Sequence, residues 1–174
     1  MPRIVAGQLG GRTIPGPPGK GTRPTSDKVR EALFNRLEGW DALAGARVLD
    51  LYAGTGALAF EALSRGAEHA LLAELHGPTA KQLRRTASEL GLDGRVEIRA
   101  GKAASVAGQL ATQHAAQTTA PAATLVFLDP PYDVPTEALE QMLLTLRTAL
   151  DDDALDVIER SSRTRLLEWP EGWA

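Results

Sequence analysis

The chain has 174 residues, 43% of them apolar and 24% charged, with a net charge of −3. That is the length and balance of one soluble globular domain able to bury its own core. It has no cysteine, which excludes disulfides, thiolate metal sites and a cysteine nucleophile, and its histidines (His69, His76, His114) have no metal-binding spacing.

No apolar run approaches the roughly 20 residues of a membrane span, and the leading residues lack a signal-peptide core. A cytoplasmic protein with no membrane partner is expected. The charge is unevenly spread. Residues 1–36 carry seven basic side chains (Arg3, Arg12, Lys20, Arg23, Lys28, Arg30, Arg36) against Asp27 and Glu31, a net of +5, which leaves −8 for the rest. An acidic body with a basic leading segment suits a protein that meets phosphate on one face.

In chain order, residues 3–6 and 12–14 are short strand candidates with Gly7, Gly10 and Gly11 between them, and the spacing predicts a small hairpin. Residues 15–21 read as loop. Ser26 is a good N-cap, and Asp27 puts negative charge at the positive end of a helix. Val29, Leu33 and Leu37, with Ala32 and Phe34, predict a helix over 27–37 that buries those residues and ends near Gly39.

From Arg47 onward the pattern alternates. Strands are predicted at 48–51, 70–73, 96–98, 125–128 and 154–159, and helices at 56–64, 78–90, 102–114 and 136–150. Residues 115–123 read as loop. This alternation predicts an α/β fold, a parallel Rossmann-like sheet with helices on both faces. Lys81, Arg84 and Arg85 read as an exposed helix face that could touch RNA. Residues 151–153 (three aspartates) read as a solvated loop at a helix end, and Trp40, Trp169 and Trp173 as packing residues.

Two motifs carry chemistry. The first runs from a buried strand through Asp50, Ala53, Gly54 and Gly56 into a helix. The glycines let a ligand approach the backbone at the carboxyl end of a parallel strand, where open α/β sheets bind ligands. Glu74 ends the next strand, 24 residues after Asp50, placed to accept ribose hydroxyls. A dinucleotide would fit the glycines, with Ala59 at the third glycine position, but the Asp50 carboxylate would repel a pyrophosphate and suits a cationic ligand such as S-adenosylmethionine. An ordinary strand–turn–helix connection with structural glycines remains open at this point.

The second motif is Asp129, Pro130, Pro131 and Tyr132, directly after an apolar strand. Pro131 fixes its own φ and biases Pro130 toward an extended backbone. The Asp129 carboxylate and the Pro130 carbonyl are thereby held as two stiff acceptors. Two acceptors on an aromatic amine draw its nitrogen toward tetrahedral geometry, and the carboxylate binds the positive charge that develops there. Tyr132 offers a face for an unstacked base. A plain proline turn would not need the whole string.

These residues resemble the amino-methyltransferase branch of the class I S-adenosylmethionine enzymes. With residues 23–35 (Arg23 and Thr25 among them), 49–58 and 61–66, the chain closely resembles the RsmD family of bacterial 16S ribosomal RNA guanine-N2 methyltransferases. The resemblance implies S-adenosylmethionine as cofactor, no metal, and 16S rRNA or the small ribosomal subunit or its assembly intermediate as partner, with the enzyme a monomer. It assigns Asp129, Pro130, Pro131 and Tyr132 to the target-amine clamp. Arg23, Thr25, Asp50, Ala53, Gly54, Gly56, Glu74, Lys102 and Ala103 would hold the cofactor, and Arg3, Arg12, Lys20 and Arg30 would face RNA.

Residues 1–24 would then be a basic hairpin and loop extension, and residues 25–174 the methyltransferase domain. His76 and the pair Gly101 and Lys102 depart from the usual acid and polar residues at those places. The family fold usually closes with two more strands, the last antiparallel, so the C-terminal strands are expected to be missing from this chain. DNA adenine-N6 methylation and a non-catalytic RNA-binding or assembly role stand as alternatives.

Overall fold

The computed structural model describes residues 2–16, 27–116, 121–160 and 167–169. Helix α1 (Asp27–Gly39) precedes strand β1 (Arg47–Asp50), helix α2 (Ala57–Ser64), strand β2 (His69–Glu74) and helix α3 (Gly77–Glu89). Strand β3 (Val96–Ala100), helix α4 (Ala103–Ala116), strand β4 (Ala123–Leu128), helix α5 (Thr136–Leu146) and strand β5 (Leu150–Ile158) follow. The strands form one sheet in the order β3-β2-β1-β4-β5, and every pairing is parallel. The expected α/β architecture is therefore present.

The strand alternation separates two cores. Val48, Ala70, Leu72, Leu125 and Phe127 pack with Phe34 and Leu37 of α1, Phe60 and Leu63 of α2, and Leu83 of α3. Leu49, Leu51, Ala73, Val126 and Leu128 face Val106 and Ala107 of α4 and Met142, Leu143 and Leu146 of α5. Among the described residues, no helix is long and apolar enough to cross a membrane.

Four local expectations change. Val29 is 59% exposed, and the buried positions of α1 are Arg30, Phe34 and Leu37. Spacing alone favoured the apolar Val29, whereas Arg30 is buried because it has a buried acid to pair with. The helix predicted over 136–150 ends at Leu146 in a short 3-10 turn over Arg147–Ala149, and β5 begins at Leu150. The three aspartates thus lie in a strand rather than a loop. They are exposed, and a register shift between Ala123 and Leu125 accommodates them. Trp40 stands exposed, its ring 5.9 Å from the Arg36 guanidinium, and Trp169 is exposed as well, so neither is a packing residue. Trp173 lies outside the described residues.

The leading hairpin reduces to one antiparallel bridge, Arg3 with Thr13. It is anchored rather than loose. Ile4 and Ile14 belong to the core cluster that α1, α2 and α3 share.

Candidate active site

The carboxyl ends of β1, β2 and β4 bring three acids together. Asp50 is paired in register with Leu72 of β2 and Phe127 of β4. Glu74 and Asp129 each lie two residues further along those strand lines, which preserves the side-chain parity. All three carboxylates therefore belong to the α1–α3 face of the sheet. The strand order reverses at β1, and such a switch point is where open α/β sheets place their ligand crevice.

Asp50 is 1% exposed, and neither of its carboxylate oxygens has a hydrogen-bond partner among the described residues. Burial pushes its carboxyl up to about 7, the charge of Asp129 adds to this, the nearby Tyr52 backbone N–H offsets it in part without reaching hydrogen-bond geometry, and Glu74 adds a smaller upward push. A buried acid without a donor is costly unless something with positive charge or N–H groups meets it.

The glycine turn sits beside it. The Gly54 N–H donates to Glu74 Oε2 at 3.0 Å, and the His76 N–H to Oε1 at 3.2 Å. Glu74 thus braces the turn, and each of its oxygens retains capacity for a further donor. Gly54 and Gly56 have φ of +56° and +83°. A Cβ on Gly56 would lie 2.4 Å from Phe60 Cε2, whereas a Cβ on Gly54 would meet nothing within 4 Å among the described residues. Gly56 is thus required by packing, and Gly54 borders open space. Ala53 is buried, its N–H bound to the Ala73 carbonyl at 3.0 Å.

On the β3 side, the Gly101 N–H donates to the Glu74 carbonyl at 3.0 Å, which draws the start of α4 to this edge. Lys102 is exposed there and Ala103 is buried. On the β4 side, Asp129 is half-buried, Pro130 is buried, and Pro131 and Tyr132 are exposed, Tyr132 at 62%. The Val134 N–H closes this turn on the Pro131 carbonyl at 3.2 Å. The arrangement can hold a cationic ligand at Asp50 and a flat polar ligand at Asp129 and Tyr132.

The basic residues divide. Arg3 and Arg12 are exposed. Arg30 is corrected from an RNA contact to a buried tie: it is 0% exposed, and its guanidinium meets Glu61, Asp27 and the Arg3 carbonyl. Burial among those acceptors leaves it no face for a phosphate. Lys20, Arg23 and Thr25 lie outside the described residues. One residue at this edge escaped the sequence reading. Arg160, just past β5, donates to Thr136 Oγ1 at 3.0 Å, and its charge acts on the Tyr52 phenol. A cation just past the last predicted strand was the available signal. A separate depression at the amino ends of the strands, bordered by Arg47, His69 and Glu97, lies on the far side of the sheet from this edge.

The fold, with its glycine turn and Asp-Pro-Pro-Tyr turn at one sheet edge, is that of a class I S-adenosylmethionine-dependent methyltransferase. The chain belongs to the ribosomal RNA small subunit methyltransferase D family. The family model described as Conserved hypothetical protein 95 matches residues 2–174. The Escherichia coli (strain K12) protein named Ribosomal RNA small subunit methyltransferase D is 36% identical over 174 residues, covering 99% of this chain and 81% of that one. The Haemophilus influenzae protein of the same name is 34% identical over 172 residues, covering 98% and 84%. A solved structure of Escherichia coli yhhF superposes with a TM-score of 0.78 at 34% identity, covering 99% of this chain and 87% of that one. A Thiobacillus denitrificans methyltransferase in complex with S-adenosyl-L-homocysteine shares the fold at a TM-score of 0.57 and 19% identity, covering 78% of this chain and 49% of that one.

Proposed function

We propose that this rRNA methyltransferase relative transfers a methyl group from S-adenosylmethionine to the exocyclic N2 of a guanine in 16S ribosomal RNA. The observation that carries the reading is the buried Asp50 carboxylate, without a hydrogen-bond partner among the described residues, beside Asp129 on one face of the sheet and at the ends of adjacent strands. Asp50 fits the ammonium of a methionine moiety. Gly54 leaves room beside it, and Glu74 keeps acceptor capacity for ribose hydroxyls. Ala53 and Gly56 shape the turn, and Lys102 and Ala103 would border the adenine. Arg23 and Thr25 are assigned to the methionine end on the family resemblance. S-adenosylmethionine, when bound, supplies an electrophilic methyl on a sulfonium.

The chain's own residues act on the acceptor. Tyr132 stacks on the extruded base. The Asp129 carboxylate and the Pro130 carbonyl accept the two N–H bonds of the amine, turning its lone pair out of the ring. As the N–C bond forms and the S–C bond breaks, the nitrogen becomes positive, and Asp129 stabilises that charge more than it does the neutral amine. One proton then leaves the methylated nitrogen toward Asp129. Residues 1–24 are assigned as the basic extension, with Arg3, Arg12 and Lys20 toward RNA, and residues 25–174 as the catalytic domain.

The test is methyl transfer from labelled S-adenosylmethionine to small-subunit RNA or assembled particles, with Asp129→Asn alongside. The variant is expected to lose more than about tenfold in rate, the scale of one well-placed transition-state acceptor. Equal labelling by variant and wild type overturns the role of Asp129. Preferential labelling of adenine in duplex DNA overturns the RNA assignment.

A further inference from the structure

Beyond residue 36 the chain carries a net charge of −8, yet its basic residues are not dispersed. Helix α3 contains Lys81, Arg84 and Arg85 against the single acid Glu89, a net of +2. Helix α5 contains Glu137 and Glu140 and no basic residue, and β5 next to it begins with three exposed aspartates. The two ends of the sheet therefore carry opposite charge.

On α3 the buried positions are Thr79, Ala80, Leu83, Thr86 and Ala87. Lys81, Arg84 and Arg85 are all exposed, three and four residues apart, and share the outward face. Like charges at that spacing repel by a few tenths of a kcal/mol per pair unless acids intervene. Among the described residues no carboxylate lies within ion-pair distance of any of the three. Among the described residues, Arg84 reaches the Ile98 carbonyl at 3.4 Å and Arg85 the Gln82 side-chain oxygen at 3.5 Å. Both contacts leave the positive charge intact.

The band does not stop at the helix. Arg12 of the leading hairpin donates to the Glu89 backbone carbonyl at 3.0 Å, which fixes it at the last turn of α3. It also has no carboxylate within ion-pair distance among the described residues. At the other end, α3 begins three residues after Glu74, at the edge where the three acids meet. A helix of 13 residues is about 20 Å long. Arg12, Arg85, Arg84 and Lys81 thus form one uncompensated positive band from the hairpin to the active-site edge. Its apolar content is low, which disfavours a protein partner anchored by aromatic or aliphatic side chains.

We infer that the outer face of α3, with Arg12 of the hairpin, binds the phosphate backbone of the RNA substrate. The inference rests on the RNA reading above and adds the surface that holds the RNA. Contacts of this kind position a strand without reading its bases. They weaken with salt, by a slope of about 0.7 to 0.9 per phosphate neutralised.

The test uses the full chain with Lys81→Gln, Arg84→Gln and Arg85→Gln combined. Binding of a small-subunit rRNA fragment is followed by fluorescence anisotropy across a salt series. The triple variant is expected to bind at least about tenfold more weakly at low salt, with the slope of log K against log salt reduced by about two to three. Thermal unfolding and calorimetric binding of S-adenosylmethionine should match the wild type, which separates lost RNA contact from misfolding. A control triple, Arg36→Gln, Arg47→Gln and Arg147→Gln, removes the same charge elsewhere.

A wild-type slope in the α3 triple, or an equal loss in both triples, overturns the inference. The two readings fail separately. If the wild type methylates rRNA while the α3 triple binds it normally, only the band is wrong. If Asp129→Asn methylates normally, the catalytic reading is wrong and the salt slopes still judge the band.

Discussion

The Glu61 carboxylate and the Arg30 guanidinium form an ion pair at 3.4 Å with neither side chain exposed to solvent. Glu61 lies one turn into α2, the helix that leaves the glycine turn, and it also accepts the Val5 and Ala6 backbone N–H groups at 2.8 and 3.1 Å. Arg65 closes on its other oxygen at 2.9 Å. One buried acid therefore joins the leading hairpin, α1 and α2.

Glu61→Gln should leave the buried Arg30 and Arg65 guanidinium groups with only the half-exposed Asp27 and Glu38 as counter-charge. Breaking a buried pair from one side costs about 3 to 5 kcal/mol. Urea unfolding should register a loss of that order, and amide exchange at Val5 and Ala6 should speed up well beyond that in the sheet. An unchanged midpoint would show that Ile4, Ile14 and the Ser64 contacts hold the hairpin without Glu61.

The two turn glycines should separate under substitution. Both have positive φ, which costs an alanine about 1 to 2 kcal/mol. Gly56→Ala adds a clash with Phe60 and Leu83, so its loss of stability in thermal unfolding should be clearly the larger. Gly54→Ala meets no atom within 4 Å among the described residues. Its main effect should be weaker binding of S-adenosylmethionine, by tenfold or more on the scale of about 1.4 kcal/mol per decade. Equal affinity in Gly54→Ala and wild type would move the ligand away from this turn.

Stability should depend on pH through two acids. Burial, with Asp129 adding, pushes Asp50 up to about 7, and burial alone pushes Asp156 up to about 7, both from an ordinary value of 3.8. Between those values the folded chain holds more protons than the unfolded chain. The stabilising effect of protonation is therefore complete below about pH 4 and is lost as pH rises through about 7. Asp50→Asn and Asp156→Asn should each flatten the fall in urea-unfolding free energy across that window. Steeper curves in both variants would contradict the burial described here.

The same acid should govern the cofactor. A cationic ligand at Asp50 favours the carboxylate, so binding below about pH 7 should release a proton and affinity should rise with pH up to that point. Calorimetry in buffers of different ionisation enthalpy measures the proton directly. Asp50→Asn should abolish the release and weaken binding, whereas Asp156→Asn should do neither.

Much of the fold was legible because its signals are local. Gly54 and Gly56 mark a strand-to-helix turn, and the Asp129 to Tyr132 string marks another, each next to a short apolar strand. The fold followed from the strand–helix alternation, and the family from these strings together with residues 23–35 and 61–66. Arg30 was misread because its partner, Glu61, lies 31 positions away, and a basic residue in a basic segment looks solvated until the acid beside it is known. The start of β5 was misread for a related reason. Aspartates have poor strand propensity, and here backbone pairing with β4 overrides it. The coupling of Asp50 to Asp129 was legible only in outline, since the register that sets them on one face depends on pairing between strands far apart in the chain.

Gly7 presses against α2 so closely that a Cβ would sit 2.0 Å from the Ser64 carbonyl oxygen, while Ser64 Oγ accepts the Leu9 N–H and donates to the Ala6 carbonyl. The hairpin is thereby keyed to one particular helix end. The hairpin contributes only backbone groups to these bonds, so a chimera that takes its first sixteen residues from another family member keeps them as long as its seventh residue is glycine. The restraint on sequence falls on Gly7 and on the carboxylate and hydroxyl at positions 61 and 64, more than fifty positions away, while the hairpin's exposed side chains are left free to change.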